Sequence, residues 1–499
     1  MNRWSIWLRT AALATVLAAG QAYAAKDVLV IDLASEPASL DPHVQWNPDS
    51  YWVYRNIFDN VVTRDDDGKI IPQVATSWKA IDDKTIEFAL RSDITFHDGT
   101  AMTADDVAFT VKRITDPAFK SPQLDQFNKI VATEVVNPTT IRFRTDSVYP
   151  VLMAQLTKLS VVPKAHVEKV GNEAFNQGPV GSGAYKFQSI QRGVKTTLVR
   201  NDAYWGQKGA FPTVEFRPVP DQATRMADLR SGKADLIVTI NADHAKELKA
   251  DANTKVLSVL SERVAYFMLN SLTGPTSDLR VRQAISHAID RQGIIDGLMG
   301  GYDKPVATML SPVHVGFSDG FKGPVYDPNK AKELLKAVGA PAQGTFTLFT
   351  SPVFDQRIVV AIQQMLRDVG LKVEITSSDF ANWLKRAQAS PQEFGEVTFS
   401  RWSCGCQDAD GILFPLYHSK SQWAKSNNPA MDAELDAGRS TLDVAKRTQH
   451  YKKANELAEA TVPLVPLYQA AILYGARKEL RWKPTPNESF FINRIGWDG

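Results

Sequence analysis

Residues 56–117 read NIFDNVVTRDDDGKIIPQVATSWKAIDDKTIEFALRSDITFHDGTAMTADDVAFTVKRITDP. The stretch opens on a helix end at 56–60, then an acidic glycine turn at Asp65, Asp66, Asp67 and Gly68, then a short apolar run into Trp78. Thr85, Ile86, Glu87, Phe88, Ala89 and Leu90 alternate with period two, the pattern of a half-buried strand. After the turn at His97-Asp98-Gly99, Thr103 stands where a helix N-cap belongs, with Asp105 and Asp106 in the first turn. Val107, Phe109, Val111 and Ile114 follow at roughly helical spacing. Strand, turn and helix are what periodicity alone supplies.

Working outward, Val-, Ile- and Thr-rich segments at 28–33, 195–200, 254–259, 344–350 and 371–376 alternate with helical patterns. The helices are predicted at 278–297, 328–338, 356–369 and 444–460, and the alternation predicts α/β layers. The first 24 residues carry Arg3 and Arg9, an apolar core over 10–20 and the small-residue run Ala22-Tyr23-Ala24. They read as a secretory signal peptide, because the core is too short to span a bilayer. The chain is therefore expected to be exported, to start at Ala25 and to work as a soluble periplasmic protein. Removing 24 residues from 499 leaves 475, enough for about three domains. A formal net charge of +2 gives nucleic acid no foothold, and two cysteines make no disulfide framework.

Chemical motifs are missing. No G-x-x-x-x-G-K-[ST] loop, H-E-x-x-H pair or G-x-S-x-G elbow occurs. Gly181-Ser182-Gly183 reads as a structural turn rather than a nucleophile or phosphate loop. The eight histidines show no ligand spacing, so neither metal nor cofactor is expected, and no enzyme.

The order and residues of the opening stretch resemble the extracytoplasmic solute-binding proteins that serve ABC importers of peptides, nickel chelates and opines. So do Ser39-Leu40-Asp41-Pro42-His43, the runs GPVGSGAYK (178–186) and RNDAYWG (200–206), and the helices LRVRQAISHAIDR (279–291) and YDPNKAKELL (326–335). The resemblance implies an α/β, periplasmic-binding-protein-like clamp of two lobes with an extra inserted domain, and hinge crossings between the main lobes. A discontinuous lobe I would comprise 25–59, 177–272 and 470–499. Lobe II would be inserted at 60–176, and lobe III would span 273–469. Paired crossings are hinges, and hinge closure on a ligand is how periplasmic binding proteins work.

For function, the resemblance implies a receptor that captures a peptide or peptide-like solute between lobes I and III. A monomer would hand the solute to ABC permease transmembrane subunits driven by cytoplasmic ATPases. Alternatives are a receptor for glutathione, an opine, a nickel chelate or a bile-salt-like compound, or a periplasmic peptide hydrolase or chaperone.

Candidate ligand residues follow from the same likeness. Peptide-binding members carry a Trp and, three residues on, an Asp that pairs with the peptide ammonium. Trp402 keeps its place, followed by Ser403 and Cys404, but Gly405 stands at the Asp position. Ordinary dipeptide binding is thereby put in doubt, and Gly405→Asp is expected to introduce it. Asp408 or Asp410 is a substitute acceptor or part of an Asx-type turn. The run from Trp402 to Trp423 resembles the glutathione-binding branch, which also lacks this Asp. Arg357 matches an Arg that holds the ligand carboxylate, or it is a solvated helix-start Arg. Trp46 is a stacking surface or lobe packing, and Tyr266 and Met268 are wall residues of a crossing strand. A disulfide between Cys404 and Cys406 is disfavoured by its short span. That leaves two thiols for a soft metal or redox sensing, or a polarizable wall.

Overall fold

The structure, a computed structural model, describes residues 26–44, 48–340 and 344–498. The expected leader at 1–24 and the candidate Trp46 lie outside the described residues.

The α/β class holds. One large mixed sheet runs in the order Lys372–Ser377, Thr345–Thr350, Val397–Trp402, Thr254–Leu269, Leu464–Arg477, Leu236–Ile237, Val28–Leu33, Thr213–Pro218, Lys195–Arg200 and Tyr185–Gln191. Its two long strands, Thr254–Leu269 and Leu464–Arg477, belong to both halves of the molecule. One core, gathered around residues 264–470, packs on their Val264–Leu269 and Leu464–Tyr468 ends. Val28–Leu33 and Thr213–Pro218 anchor a second core, which takes in Tyr474 and Ala476 from the far end of one of these strands. A third core, of residues 61–161, fills a separate antiparallel sheet of Ala75–Asp82, Thr85–Leu90, Thr140–Thr145 and Ile130–Asn137.

Between the halves the two long strands lose register. Leu260 pairs with Ala471, the next pair is Val264 with Gln469, and the intervening Ser261, Glu262 and Arg263 fall out of the ladder. Such a bulge re-aims side chains that a regular strand would alternate between faces. Ser261 restores the lost bonds: its hydroxyl donates to the Ala470 carbonyl at 2.8 Å, and its carbonyl accepts Gln469 Nε2 at 2.7 Å.

Most predicted elements fall where the pattern placed them. Val28–Leu33, Thr85–Leu90, Lys195–Arg200 and Pro328–Val338 form as predicted. The helix from Thr103 runs Ala104–Thr115, and the Asp106 carboxylate accepts the Thr103 N–H at 2.9 Å. The strand predicted at 254–259 runs on to Leu269, because the apolar run 264–269 continues it in the other half's core. The helix predicted at 278–297 is two, Leu279–Ala288 and Arg291–Leu298. Asp290 splits them by accepting the Gly293 N–H at 2.8 Å as a new N-cap.

The motif residues assemble on Asp59 and Asp41. Asp59 is buried and accepts four donors: Gln73 Nε2 at 2.7 Å, Tyr204 OH at 2.9 Å, and Trp205 Nε1 and Ser182 Oγ at 3.0 Å. Burial still holds its carboxyl above the usual carboxylate range. Asp41, wholly buried, takes Arg113 Nη1 at 3.0 Å and Nη2 at 2.5 Å. Arg113 Nη1 also lies 2.9 Å from His43 Nδ1, so that nitrogen must be the acceptor and Nε2 carries the proton, donating to the Ser160 carbonyl at 2.9 Å. Burial lowers the His43 pKa to about 4, and the ring stays neutral beside the guanidinium.

Candidate ligand cleft

A cavity of about 280 Å³ opens where the bulge meets the other parts of the chain. That is the lower end of the size range of small-molecule pockets, about 300–1,000 Å³. Helix Pro48–Tyr54 gives Tyr51 and Trp52 to one wall, and Lys158 follows helix Leu152–Leu156 on another. Glu262 and Arg263 come from the bulge, and Ser403, Cys404, Gly405 and Gly411 from the loop after Val397–Trp402. Asn487 and Glu488 of the C-terminal segment complete it.

Four charges meet in this cavity. Arg263 donates Nε to Glu488 Oε1 at 2.5 Å and Nη2 to Oε2 at 3.2 Å. Trp52 Nε1 donates to the Glu488 carbonyl at 2.6 Å, holding that segment in place. Glu262 is 5% exposed, and its Oε2 has no hydrogen-bond partner among the described residues. Burial pushes its carboxyl up to about 7; the Glu488 charge adds to the rise and Lys158 opposes it. The Lys158 ammonium is lowered to about 8 by burial, against the support of Glu262.

Gly405 sits between these two charges. A Cβ there would lie 2.9 Å from Lys158 Nζ and 3.6 Å from Glu262 Oε1. The volume that a side chain would fill at this position is thus occupied by an ammonium and a carboxylate from elsewhere in the chain.

The structure gathers some of the candidates and separates others. Ser403 and Cys404 line the cavity. Trp402 instead lies behind the loop, donating Nε1 to the Gly411 carbonyl at 3.0 Å and meeting Trp423 edge-on at 5.0 Å. Asp408 is 3% exposed and spends both oxygens on Arg447, at 2.6 and 2.9 Å, while capping the Asp410 N–H at 2.9 Å. The Asx-type turn is therefore the arrangement found, and Asp408 offers no free oxygen to a ligand. Tyr266 and Met268 are buried in the core on the strand's far segment, away from the cavity, because the bulge ends before them.

Cys404 and Cys406 form a disulfide, against expectation. The chain turns tightly here, the Gln407 N–H donating to the Cys404 carbonyl at 2.7 Å. This brings the two Cα atoms to 5.0 Å, within the ordinary range for a disulfide. Bonded to each other, the sulfurs are not thiolates for a metal.

Arg357 lines a second cavity, of about 190 Å³, with Asp303, Asp355, Arg401 and Tyr468. It is 44% exposed and donates to Asp355 at 2.7 Å and to Asp243 Oδ2 at 3.1 Å, joining helix Gln356–Asp368 to helix Ala242–Ala250. Arg401 adds a second cation, and burial pushes the Asp303 carboxyl up to about 6. Sequence reasoning missed Lys158, Glu262, Arg263 and Glu488. The one local signal was the polar run Ser261-Glu262-Arg263 interrupting a strand that is otherwise largely apolar.

Comparison with known proteins agrees with this architecture. The family model of bacterial extracellular solute-binding proteins, family 5 (middle region), matches residues 69–424. The glutathione-binding protein GsiB of Salmonella paratyphi A is 28% identical over 491 residues, covering 95% of each chain. Its counterpart from Escherichia coli strain K12 is 28% identical over 484 residues, covering 94% of each. Among solved structures, the periplasmic binding protein DppA of Helicobacter pylori in complex with the peptide STSA superposes with a TM-score of 0.79 at 26% identity, covering 95% of this chain and 98% of that one. AgaA of A. tumefacien R10 in complex with agropinic acid gives 0.77 at 27%, covering 94% and 98%. With its sheet, its bulged pair of crossing strands and the cleft beside them, the chain belongs to family 5 of the bacterial extracellular solute-binding proteins, the substrate-binding receptors of ABC importers.

Proposed function

We propose that the mature protein is a soluble periplasmic receptor that closes on a peptide-like, zwitterionic solute and delivers it to an inner-membrane permease with cytoplasmic ATPases. In this reading 25–59, 177–272 and 470–499 form one jaw, 273–469 the other, and 60–176 an inserted lobe. The observation that carries it is the cavity at the bulge of both crossing strands, lined by residues from all three segments and holding two cations and two anions. Bending at that bulge changes the cavity's width, so occupancy and closure are coupled. No helix among the described residues is long and apolar enough to cross a membrane, which suits export as a free protein. In this reading the protein binds its solute without turning it over and works as a monomer.

The relatives named for glutathione support a peptide-like solute with its free amine on a γ-linked glutamate as the leading form of this reading. The test is a thermal-shift screen of linear di- and tripeptides, glutathione, opines and metal chelates, with solution scattering on any hit. A ligand at a hundredfold excess over its Kd stabilises the native state by about 2.7 kcal/mol, a shift of several degrees. A hit should also shrink the radius of gyration. No shift from any compound in the screen refutes the reading.

Gly405→Asp tests the cavity's charge layout. The new Cβ would meet the flexible end of Lys158, so the chain accommodates it, and the new carboxylate pairs with that ammonium. We therefore expect no gain in Ala-Ala affinity by calorimetry, contrary to the expectation from sequence. A tenfold gain would show that Lys158 moves aside for a ligand amine.

A further inference from the structure

The charges around Gly405 point to a particular piece of solute chemistry. We infer that Glu262, Lys158 and Arg263 together bind an α-amino-acid head group, with Glu262 Oε2 accepting the ammonium and the two cations holding the carboxylate attached to the same carbon. This rests on the receptor reading above and names the part of the solute that the cavity recognises.

Three observations carry the assignment. Glu262 Oε2 is a buried acceptor without a partner among the described residues, on a residue 95% removed from solvent and lining the cavity. Burying an acceptor unmatched is unfavourable, and an N–H donor entering the cavity removes that cost. Cation and anion stand side by side, with Lys158 Nζ and Glu262 Oε1 both within 4 Å of the Gly405 Cβ position. An α-amino acid carries its two charges on one carbon and matches such spacing. An extended dipeptide separates its ends by about two residue lengths, roughly 7 Å, and does not. Finally, Arg263 uses only Nε and Nη2 on Glu488, which leaves Nη1 for a further acceptor.

The lining charges sum to zero, so a zwitterion enters without leaving a net buried charge. A solute whose remaining chain leaves through the side-chain carboxyl, as in a γ-linked peptide, keeps such a head free. A linear peptide spends one of the two groups in its first amide bond.

The pH dependence adds a signature. Four groups face Glu262: Lys158, Glu488, Arg263 and Arg64. Both arginines stay charged across the working range, and Glu488 is tied to Arg263. Glu262, raised to about 7, is protonated below that pH and then cannot accept an ammonium as a carboxylate. Lys158, lowered to about 8, loses its proton above that pH and with it its hold on the carboxylate. Affinity for the head group should therefore peak between about 7 and 8, falling by up to about tenfold per unit on the acid side.

The experiment is calorimetry with reduced glutathione, N-acetylglutathione and Ala-Ala on wild type, Glu262→Gln and Lys158→Met. Wild type should bind glutathione at least tenfold more tightly than its N-acetyl form. Glu262→Gln should remove that preference and flatten the acid limb, and Lys158→Met should weaken glutathione tenfold or more. Equal binding of the two forms, or Glu262→Gln with unchanged preference, overturns the inference and leaves the receptor reading standing. The same holds if wild type binds Ala-Ala and not glutathione. Should Glu262→Gln fail to fold, the wild-type profile decides, and a flat affinity from pH 8 to pH 6 overturns the assignment. Binding of none of the three probes, alongside a hit elsewhere in the solute screen, also overturns it, whereas failure of the whole screen removes the receptor reading itself.

Discussion

Gly181→Ala is expected to cost more than about 4 kcal/mol of stability, or to abolish soluble expression. The reason is space. A Cβ at Gly181 would drive into the Ile57 carbonyl and come within 2.8 Å of both the Ile57 carbonyl carbon and Phe58 Cδ1. These neighbours are backbone and a buried ring, so no flexible side-chain end can yield. The approach is held from both sides: the His97 N–H donates to the Gly181 carbonyl at 2.7 Å, and the Gly183 N–H donates to the Ile57 carbonyl at 2.8 Å. Between them Ser182 donates to Asp59. Moving the segment to admit a methyl group would break these bonds together. Guanidinium unfolding followed by tryptophan fluorescence checks this, and a loss below about 1 kcal/mol would refute the argument from close approach.

Arg113→Met should cost about 3–5 kcal/mol, the usual consequence of removing one member of a buried ion pair. Asp41 is fully buried and its partner's side chain is 5% exposed, so the orphaned carboxylate has no route to water. The guanidinium also holds His43 Nδ1 and Asn172 Oδ1, and stacks 4.1 Å from the Phe119 ring centroid. It ties the segment after Val28–Leu33 to helix Ala104–Thr115. Adding Asp41→Asn to Arg113→Met removes the stranded charge and should recover at least about 1 kcal/mol. Urea unfolding of wild type, single and double variants measures both steps. If the single variant unfolds at the wild-type midpoint, the pair carries no stability.

Arg357 illustrates the opposite regime. Its contacts to Asp355 and Asp243 are partly exposed, and exposed pairs are worth about 0–1 kcal/mol. Its interest is geometric, since it bridges two helices that pack into different cores.

Local patterns were legible wherever one face of an element is buried. The alternation at Thr85–Leu90 and the capped helix after Thr103 are set by neighbours in sequence, and the structure reproduces them. The family followed from motif residues whose physical role is now visible. Asp59 is the point on which Tyr204, Trp205 and Ser182 converge, and Asp41 the point on which Arg113 closes.

The cleft was less legible. Trp402 and Asp408 sit in the expected segment, yet one packs behind the loop and the other is consumed by Arg447, a residue 39 positions away. Cys404 and Cys406 bond because a turn shortens their separation, which spacing alone does not reveal.

By itself, the sequence determined the α/β class, those strands and helices with one clearly apolar face, the membership of a solute-receptor family and the absence of a peptide-type Asp at 405. Each is carried by residues close together in the chain, or by motifs that need no partner to be read. Only the tertiary structure decided what replaces that Asp. Lys158, Glu262, Arg263 and Glu488 come from three distant stretches, and they meet because the ladder between Leu260 and Val264 slips. A register slip depends on how two strands some two hundred residues apart pack against different cores, and the polar run at 261–263 marks its place without fixing what it meets.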